Sequence, residues 1–353
     1  MSLPMKTSIH RLPRKYVTGL SLIELMISIA LGLIILSAVV GVFVNASAAR
    51  NELERTSRQI ENGRYAVEVL SDDVRLSGFF GELGAGVLAL PGAVPDPCTT
   101  TTANMSASMA LHVQGYDDGA GVPGTCPLTN LKLNTDILVV RRAKTCVAGV
   151  AGCEAEQNNK PYVQVTLCDS EAVTPYVMGL SGVTPFPLRK RDCATAAGMR
   201  EYLTHIYYVS TDNGSGQNVP TLKRLQLQAG NPPAFEDRPL VEGIELFQVE
   251  YGIDTDGDGN PDVYTADPLN HTYGGCPAPC AVNNWANVVT VSFHVLARNI
   301  DASPGYLDTK TYNLGRDAAG AIVTVGPFNN GYRRHAYAGL VRAVNPAGRR
   351  DTP

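Results

Sequence analysis

One apolar run near the start of the chain restricts its fold more than any other feature. Residues 20–44 carry a single charge, at Glu24. As an α-helix, this run would be about 37 Å long at 1.5 Å per residue, which is enough to cross a bilayer. It is also too long for the apolar part of an ordinary secretory signal, which has about 7–15 residues. We therefore expect a transmembrane helix over 20–44.

A basic leader precedes the apolar run. Residues 1–19 carry four basic residues and no acidic one, and they end at Gly19. Basic segments that flank a membrane helix stay in the cytoplasm, so the leader is expected there and the chain beyond residue 45 on the other side. Without the leader, the formal charge changes from −4 to −8, since 25 basic residues then face 33 acidic ones. Such a chain has no general attraction for nucleic acid.

The carboxylate of Glu24 lies where a charge is costly, and an acidic residue in a membrane helix usually has a function. In one interpretation, Glu24 only interacts with the positive end of the helix dipole. In the other, the chain is cut after Gly19, so that Leu20 gains a new α-amino group. Glu24 then neutralises the amine of a neighbouring helix in a filament, because opposite charges attract strongly in a low dielectric.

The residues around this cut, GLSLIELM at 19–26, resemble the type IV prepilin signature, in which Gly is followed by Phe-Thr-Leu-Ile-Glu-Leu. The sequence departs from the signature at Leu20 and Ser21. The resemblance implies cleavage after Gly19 by prepilin peptidase and N-methylation of Leu20. It also implies self-assembly in which Glu24 neutralises the amine of a neighbouring subunit.

Two further segments make the resemblance more specific. ENGRYAVEVLSDDVRLSGFFG at 61–81 and PLVEGIELFQVEYGIDTDGDGNPD at 239–262 are similar to minor pilins of the PilW type. This resemblance implies a low-abundance subunit that primes pilus assembly at or near the tip. Its implied partners are other minor pilins, the major pilin and the inner-membrane assembly platform, and its implied roles are pilus biogenesis, twitching motility, adhesion and DNA uptake. The head would be periplasmic on an inner-membrane anchor before assembly and part of an extracellular pilus afterwards.

Beyond the apolar run, the sequence predicts an α+β fold. Small or apolar residues recur every three or four positions over 45–80, which indicates an amphipathic helix in phase with 20–44. Its charged residues, Asp73 among them, are expected on a solvated face. Beyond residue 80, β-branched and aromatic runs alternate with Gly-, Pro- and Asn-rich loops. We expect strands at 111–116, 136–142, 162–167, 203–210, 221–228, 243–253, 288–297 and 332–343.

The long N-terminal helix is therefore expected to pack on a β-rich globular head over 81–353, with a largely antiparallel sheet. Within the head, 81–134 and 144–200 are expected as insert loops held by disulfides. Exported chains form disulfides, and all cysteines lie beyond residue 90. We expect sequential neighbours to pair, with free buried thiols as the alternative: Cys98 with Cys126, Cys146 with Cys153, Cys168 with Cys193, and Cys276 with Cys280.

The stretch DTDGDGNPD at 254–262 resembles the first nine positions of an EF-hand loop. A hard cation prefers oxygen ligands, and Gly259 allows the backbone to turn so that alternating carboxylates converge. The pattern departs from an EF-hand in two ways. Thr265 stands where a glutamate is expected, and a strand, not a helix, is expected before the loop. We predict a structural calcium site with these ligands: Asp254, Asp256, Asp258, Asn260 and Asp262. A solvated hairpin is the alternative.

No catalytic motif is present, and the six histidines are dispersed, so we expect no enzymatic activity. The basic segment 333–350 is typical of a sheet edge, and we expect no direct DNA contact. Two alternatives to a minor pilin remain open. One is a minor pseudopilin of a type II secretion system, and the other is a membrane-anchored calcium-dependent adhesin that never enters a filament. An exported hydrolase would need a nucleophile and a base that the sequence does not indicate.

Overall fold

The computed structural model describes residues 19–83, 87–171 and 175–348. The cytoplasmic leader predicted at 1–19 thus lies outside the described residues except for Gly19. By its internal contacts, the chain divides into two units, Met1–Glu54 and Arg55–Pro353.

Helix α1 (Leu22–Arg75) is 54 residues long and contains no proline. At its start, the hydroxyl of Ser21 accepts a hydrogen bond from the Glu24 N–H at 3.3 Å, as a serine N-cap does. Just beyond its end, Gly78 has a φ of +70°, a left-handed conformation that glycine adopts readily because it has no Cβ. The single long helix predicted from hydropathy and periodicity is confirmed.

The head is antiparallel, as predicted, but its strands form two main sheets where one was expected. In the larger sheet, the long strand β5 is central, because its first residues pair with β3 and its later residues pair with β2 and β6. The seven strands of this sheet are β1 (Val113–Tyr116), β2 (Ile137–Ala143), β3 (Pro161–Val165), β4 (Tyr176–Leu180), β5 (Met199–Ser210), β6 (Thr221–Gln228) and β7 (Ala234–Glu242).

The smaller sheet has four strands in the order β13-β10-β8-β9, and a separate hairpin joins β11 to β12. These strands are β8 (Ile244–Ile253), β9 (Val263–Thr265), β10 (Val288–Arg298), β11 (Tyr312–Arg316), β12 (Ile322–Val325) and β13 (Arg334–Arg342). Three short helices complete the described fold: α2 (Thr102–Ser108), α3 (Cys280–Ala286) and α4 (Val344–Gly348).

The main core lies between the C-terminal part of α1 and the two sheets. Ala66, Leu70 and Val74 of α1 are completely buried. Their spacing of four residues places them on one face of the helix. They belong to the same apolar cluster as Tyr207 of β5 and Phe247 of β8. One helix face thus contacts residues from both sheets, which fixes this part of α1 to the head.

Several strands were not expected from the sequence, namely β4, β7, β9, β11 and β12. Strand β7 contains Pro239 and four charged residues, and among the described strands it pairs with β6 alone. A proline cannot donate to the ladder, so an edge position tolerates it where a central one would not. Strands β9 and β12 have three and four residues, too few to show a clear alternation. Within 144–200, β3 and β4 extend the larger sheet from β5 rather than forming loops alone.

Four disulfides join sequential neighbours, which is the pairing that the sequence analysis favoured. They link Cys98 to Cys126, Cys146 to Cys153, Cys168 to Cys193, and Cys276 to Cys280. Three of the four lie in the long connections before β5, where little regular structure is present. These cross-links restrict the unfolded chain and so stabilise a loop-rich head.

Candidate functional sites

The first half of α1 presents apolar side chains on every side. All residues over 19–51 are exposed, among them Leu20, which is 69% exposed, and Glu24. The helix is long and apolar enough to cross a membrane, judged by length and composition. A helix that is apolar all round needs lipid or other helices around it. Glu24 is therefore a lone carboxylate on a surface suited to a membrane or to a bundle of helices.

In the second half of α1, a buried acidic residue holds the helix to the larger sheet. Asp73 is 5% exposed, and its Oδ1 accepts a hydrogen bond from Arg142 Nε at 2.6 Å. Its Oδ2 accepts hydrogen bonds from the Tyr207 hydroxyl at 2.8 Å and from His205 Nδ1, which lies 2.7 Å away. The expectation that Asp73 lies on a solvated face is therefore wrong. Asp73 follows the exposed Asp72 in a charged stretch of the sequence, which suggested an exposed position. Its hydrogen-bond partners on β2 and β5 instead stabilise it in a buried one.

The electrostatics of this cluster follow from its burial. Burial by itself raises the pKa of Asp73, but His205 and Arg142 outweigh it and hold the pKa well below its usual range. Burial lowers the pKa of His205, although the carboxylate of Asp73 opposes this change. We conclude that Asp73 is ionised and His205 neutral near pH 7, with Nδ1–H donating to the carboxylate.

A second polar contact fixes α1 about two turns before its buried apolar face. The side-chain amide of Gln59 is 5% exposed, and its Nε2 donates to the carbonyl oxygens of Ala297 at 2.9 Å and Arg333 at 3.0 Å. Ala297 belongs to β10, and Arg333 directly precedes β13. The sequence does not indicate that Gln59 is buried, because a polar residue among charged ones carries no signal of burial.

The acidic loop at 254–262 follows β8 and is organised by its first aspartate. Asp254 is fully buried, and its two carboxylate oxygens accept hydrogen bonds from the N–H groups of Gly257 at 2.6 Å and Gly259 at 3.0 Å. Both glycines have positive φ values, near +86°. The predicted role of glycine in turning this loop around its carboxylates thus agrees with the described geometry.

The loop brings three of the predicted ligands together. Carboxylate oxygens of Asp254, Asp256 and Asp262 lie within 4.8 Å of one another. Asp262 also accepts hydrogen bonds from the hydroxyl and the N–H of Thr255, both at 2.7 Å, and these lower its pKa. Asp258 is not part of this group, and its carboxylate instead accepts the N–H of Asn260 at 2.7 Å. The arrangement offers hard oxygen donors of the kind that calcium prefers.

The basic segment near the C-terminus includes β13, an edge strand that pairs with β10 alone among the described strands. Arg334 is buried there and pairs with Glu245 and with Asp308, the latter at 2.9 Å. Arg342 Nη2 donates to the carbonyl of Gly259 in the acidic loop at 3.2 Å. Strand β13 is a sheet edge, as expected, but Arg334 is buried, so this segment does not present a fully solvated charged face.

Comparisons with known proteins identify two regions of the chain. Residues 206–345 match the family described as Type IV Pilus-assembly protein W, and residues 14–40 match the prokaryotic N-terminal methylation motif. Among solved structures, a type IV-like pilin from Thermus thermophilus matches with 14% sequence identity and a TM-score of 0.27, over 62% of this chain and 80% of the other. No curated protein matches the chain.

Proposed function

We propose that this chain, which is a pilin of the PilW type, serves as a minor subunit of a type IV pilus that primes assembly and lies at or near the tip. The observation that carries the proposal is the methylation motif over 14–40, which leads into the 54-residue helix α1. In this role the protein supports pilus biogenesis and, through it, motility, adhesion or DNA uptake. The proposal includes no catalytic activity.

In the proposed pathway, prepilin peptidase cuts after Gly19 and the new amine of Leu20 is methylated. The exposed apolar half of α1 holds the subunit in the inner membrane, with the head in the periplasm, until the assembly platform moves it into the filament. There, Glu24 neutralises the amine of a neighbouring pilin. This role gives an exposed carboxylate in an apolar helix a partner of opposite charge, which offsets the cost of removing it from water.

Mass spectrometry of sheared, purified pili tests the proposal. We expect an N-terminal peptide that begins at methylated Leu20 in the pilus fraction. The processed peptide in the cell envelope alone would indicate a pseudopilin of a type II secretion system. An uncut chain that still carries residues 1–19 would exclude the pilin role and favour a membrane-anchored adhesin.

A calcium site in the head is a second proposal, and the convergence of Asp254, Asp256 and Asp262 favours it. The ion would bridge the start and the end of the loop and so stiffen the connection between β8 and β9. Because the carboxylates already accept backbone hydrogen bonds, the loop is shaped before the ion binds. We assign the ion a structural role, which is compatible with either a pilin or an adhesin.

A further inference from the structure

A second feature of the head, away from the acidic loop, has the form of a binding site. A cleft of about 520 Å³ opens where β8 meets the hairpin β11–β12 and the loops next to β1 and β2. Its volume falls within the range of about 300–1,000 Å³ that is typical of ligand pockets. Neither the methylation motif nor the calcium proposal involves its residues.

The floor of the cleft is apolar. Leu246 and Leu314 are buried beneath it, and Val323, Val325 and Phe328 line it as partly buried side chains of the same apolar cluster. The guanidinium of the buried Arg334 lies 3.8 Å from the centre of the Phe328 ring, and the Tyr312 ring contacts the same ring. These contacts hold one wall of the cleft in place, so an apolar side chain entering it would meet a preformed surface.

At the rim, Leu133 leaves an apolar side chain in water. It is 79% exposed, which is as exposed as any large apolar residue of the described chain. A single exposed leucine is ordinary. Here, however, it lines the same cleft as the apolar floor. Apolar side chains surrounded by a polar rim are characteristic of sites that bind a partner.

The rest of the rim is acidic. Asp117, Asp118 and Asp317 line the cleft, against one cationic side chain, that of Lys132. None of these three carboxylates forms an ion pair within the described part of the chain. Burial raises the pKa of Asp117, and the charges of Asp118 and Asp317 add to the rise. The rim thus has an excess of negative charge that a basic group would neutralise.

The acidic turn is also held in a fixed position. The buried carboxylate of Asp136 accepts hydrogen bonds from the N–H of Asp118 at 2.9 Å and from the N–H of Val249 at 2.6 Å. Asp136 thus ties the turn after β1 to β8. A site that is already ordered loses little conformational entropy when a ligand binds.

We propose that this cleft docks a segment of a partner protein that places an apolar side chain on the floor and a lysine or arginine at the acidic rim. A metal ion is a poorer occupant, because it would not contact the apolar floor. A purely apolar or an acidic segment is also a poorer occupant, because it would not neutralise the negative charge of the rim. The inference goes beyond the proposed function, since it concerns the head alone and holds whether or not the chain enters a filament.

Binding of labelled peptides to the full chain in neutral detergent micelles tests the proposal, with empty micelles as the blank. The probes are a short peptide of alternating leucine and lysine, a matched peptide with glutamate in place of lysine, and another with serine in place of leucine. We expect only the leucine–lysine peptide to bind. The double variant Asp117→Asn/Asp317→Asn should weaken its binding about tenfold, and Leu133→Ser about threefold. These side chains lie at the surface of the cleft, so the melting temperature should not change.

Matched control variants are Asp169→Asn and Val150→Ser, which alter an exposed acid and an exposed apolar residue elsewhere on the head. They should leave peptide binding unchanged. Equal binding of the glutamate peptide, or equal weakening by the controls, would overturn the proposal. A melting temperature that calcium alone raises further in the wild type than in the Asp117/Asp317 double variant would assign the rim to an ion instead.

Discussion

At the scale of single residues, the contact between Asp73 and His205 makes the stability of the head depend on pH. Both groups have a folded pKa below their ordinary value, 3.8 for Asp73 and 6.5 for His205. In each case the unfolded chain binds the proton at a higher pH than the folded one. Acid therefore favours unfolding through both groups.

We predict that the stability contributed by His205 is complete above pH 6.5 and is lost as the pH falls below that value. The contribution of Asp73 should be lost in a second step below pH 3.8. Thermal melts of the full chain in detergent across this range measure both steps. His205→Gln removes the first step while keeping an amide that can donate to Asp73. If the variant and the wild type show the same pH profile, the assignment of the first step to His205 is wrong.

Removing the charge of Asp73 tests the same cluster at constant pH. Asp73→Asn leaves the guanidinium of Arg142 without its buried partner, so we expect a loss of about 3 kcal/mol in the free energy of unfolding. Denaturant titration near neutral pH measures it. Asp72→Asn is a matched control, since the neighbouring Asp72 is 65% exposed and pairs only with the exposed Arg75 in the same helix. A loss of similar size in both variants would contradict the buried-anchor role.

Removing one charge from the acidic loop tests the proposed calcium site. Asp256→Asn removes one charge from the group formed with Asp254 and Asp262, while its Oδ1 can still accept the N–H of Asp258. If the loop binds calcium, a concentration about 100 times the Kd stabilises the wild type by about 2.7 kcal/mol, and the variant should need far more of the ion. Calorimetric melts with calcium and with a chelator measure this difference. Identical melts in both conditions would leave the solvated hairpin as the correct interpretation.

At the scale of secondary structure, α1 approaches the smaller sheet closely at Gly63. A Cβ at this position would lie 2.1 Å from the ring of Tyr337 on β13. We predict that Gly63→Ala lowers the melting temperature of the head. The gain in helix propensity is about 1 kcal/mol, whereas displacing a packed ring costs about 1–3 kcal/mol. Gly41→Ala is the control, because a Cβ there meets nothing within 4 Å. Destabilisation by Gly41→Ala but not by Gly63→Ala would refute the packing argument.

Some of the helices and strands could be predicted from the sequence, and others could not. The helix α1 follows from hydropathy and a regular apolar stripe, and strands such as β6 and β8 follow from β-branched and aromatic runs. Edge strands such as β7 could not be predicted, because their stability comes from a neighbouring strand and not from their own composition. The burial of Asp73 could not be predicted either, since Arg142 and His205 lie far away in the sequence and only the fold brings them close.

Of the two candidate sites in the head, the acidic loop could be predicted from the sequence and the cleft could not. The group of Asp254, Asp256 and Asp262 belongs to one short loop, so local spacing was sufficient to suggest it. The cleft is assembled from segments that are widely separated, among them the turn at Asp117 and the hairpin at Asp317. No local pattern connects these residues, and only the fold places their charges at one rim.

At the scale of the whole molecule, the chain joins a helix that needs an apolar environment to a head with its own core, and Glu24 tests whether the two have separate roles. We predict that Glu24→Gln leaves the melting temperature of the head unchanged, because Glu24 lies outside the unit formed by Arg55–Pro353. The same variant should be depleted from sheared pili, since an amide cannot neutralise the amine of a neighbouring subunit. Immunoblots of the pilus and membrane fractions measure this loss, and Ser37→Ala, an exposed polar position in the same helix, serves as the control. A Glu24→Gln chain that enters pili as well as the control would show that charge neutralisation is not what selects this subunit for the filament.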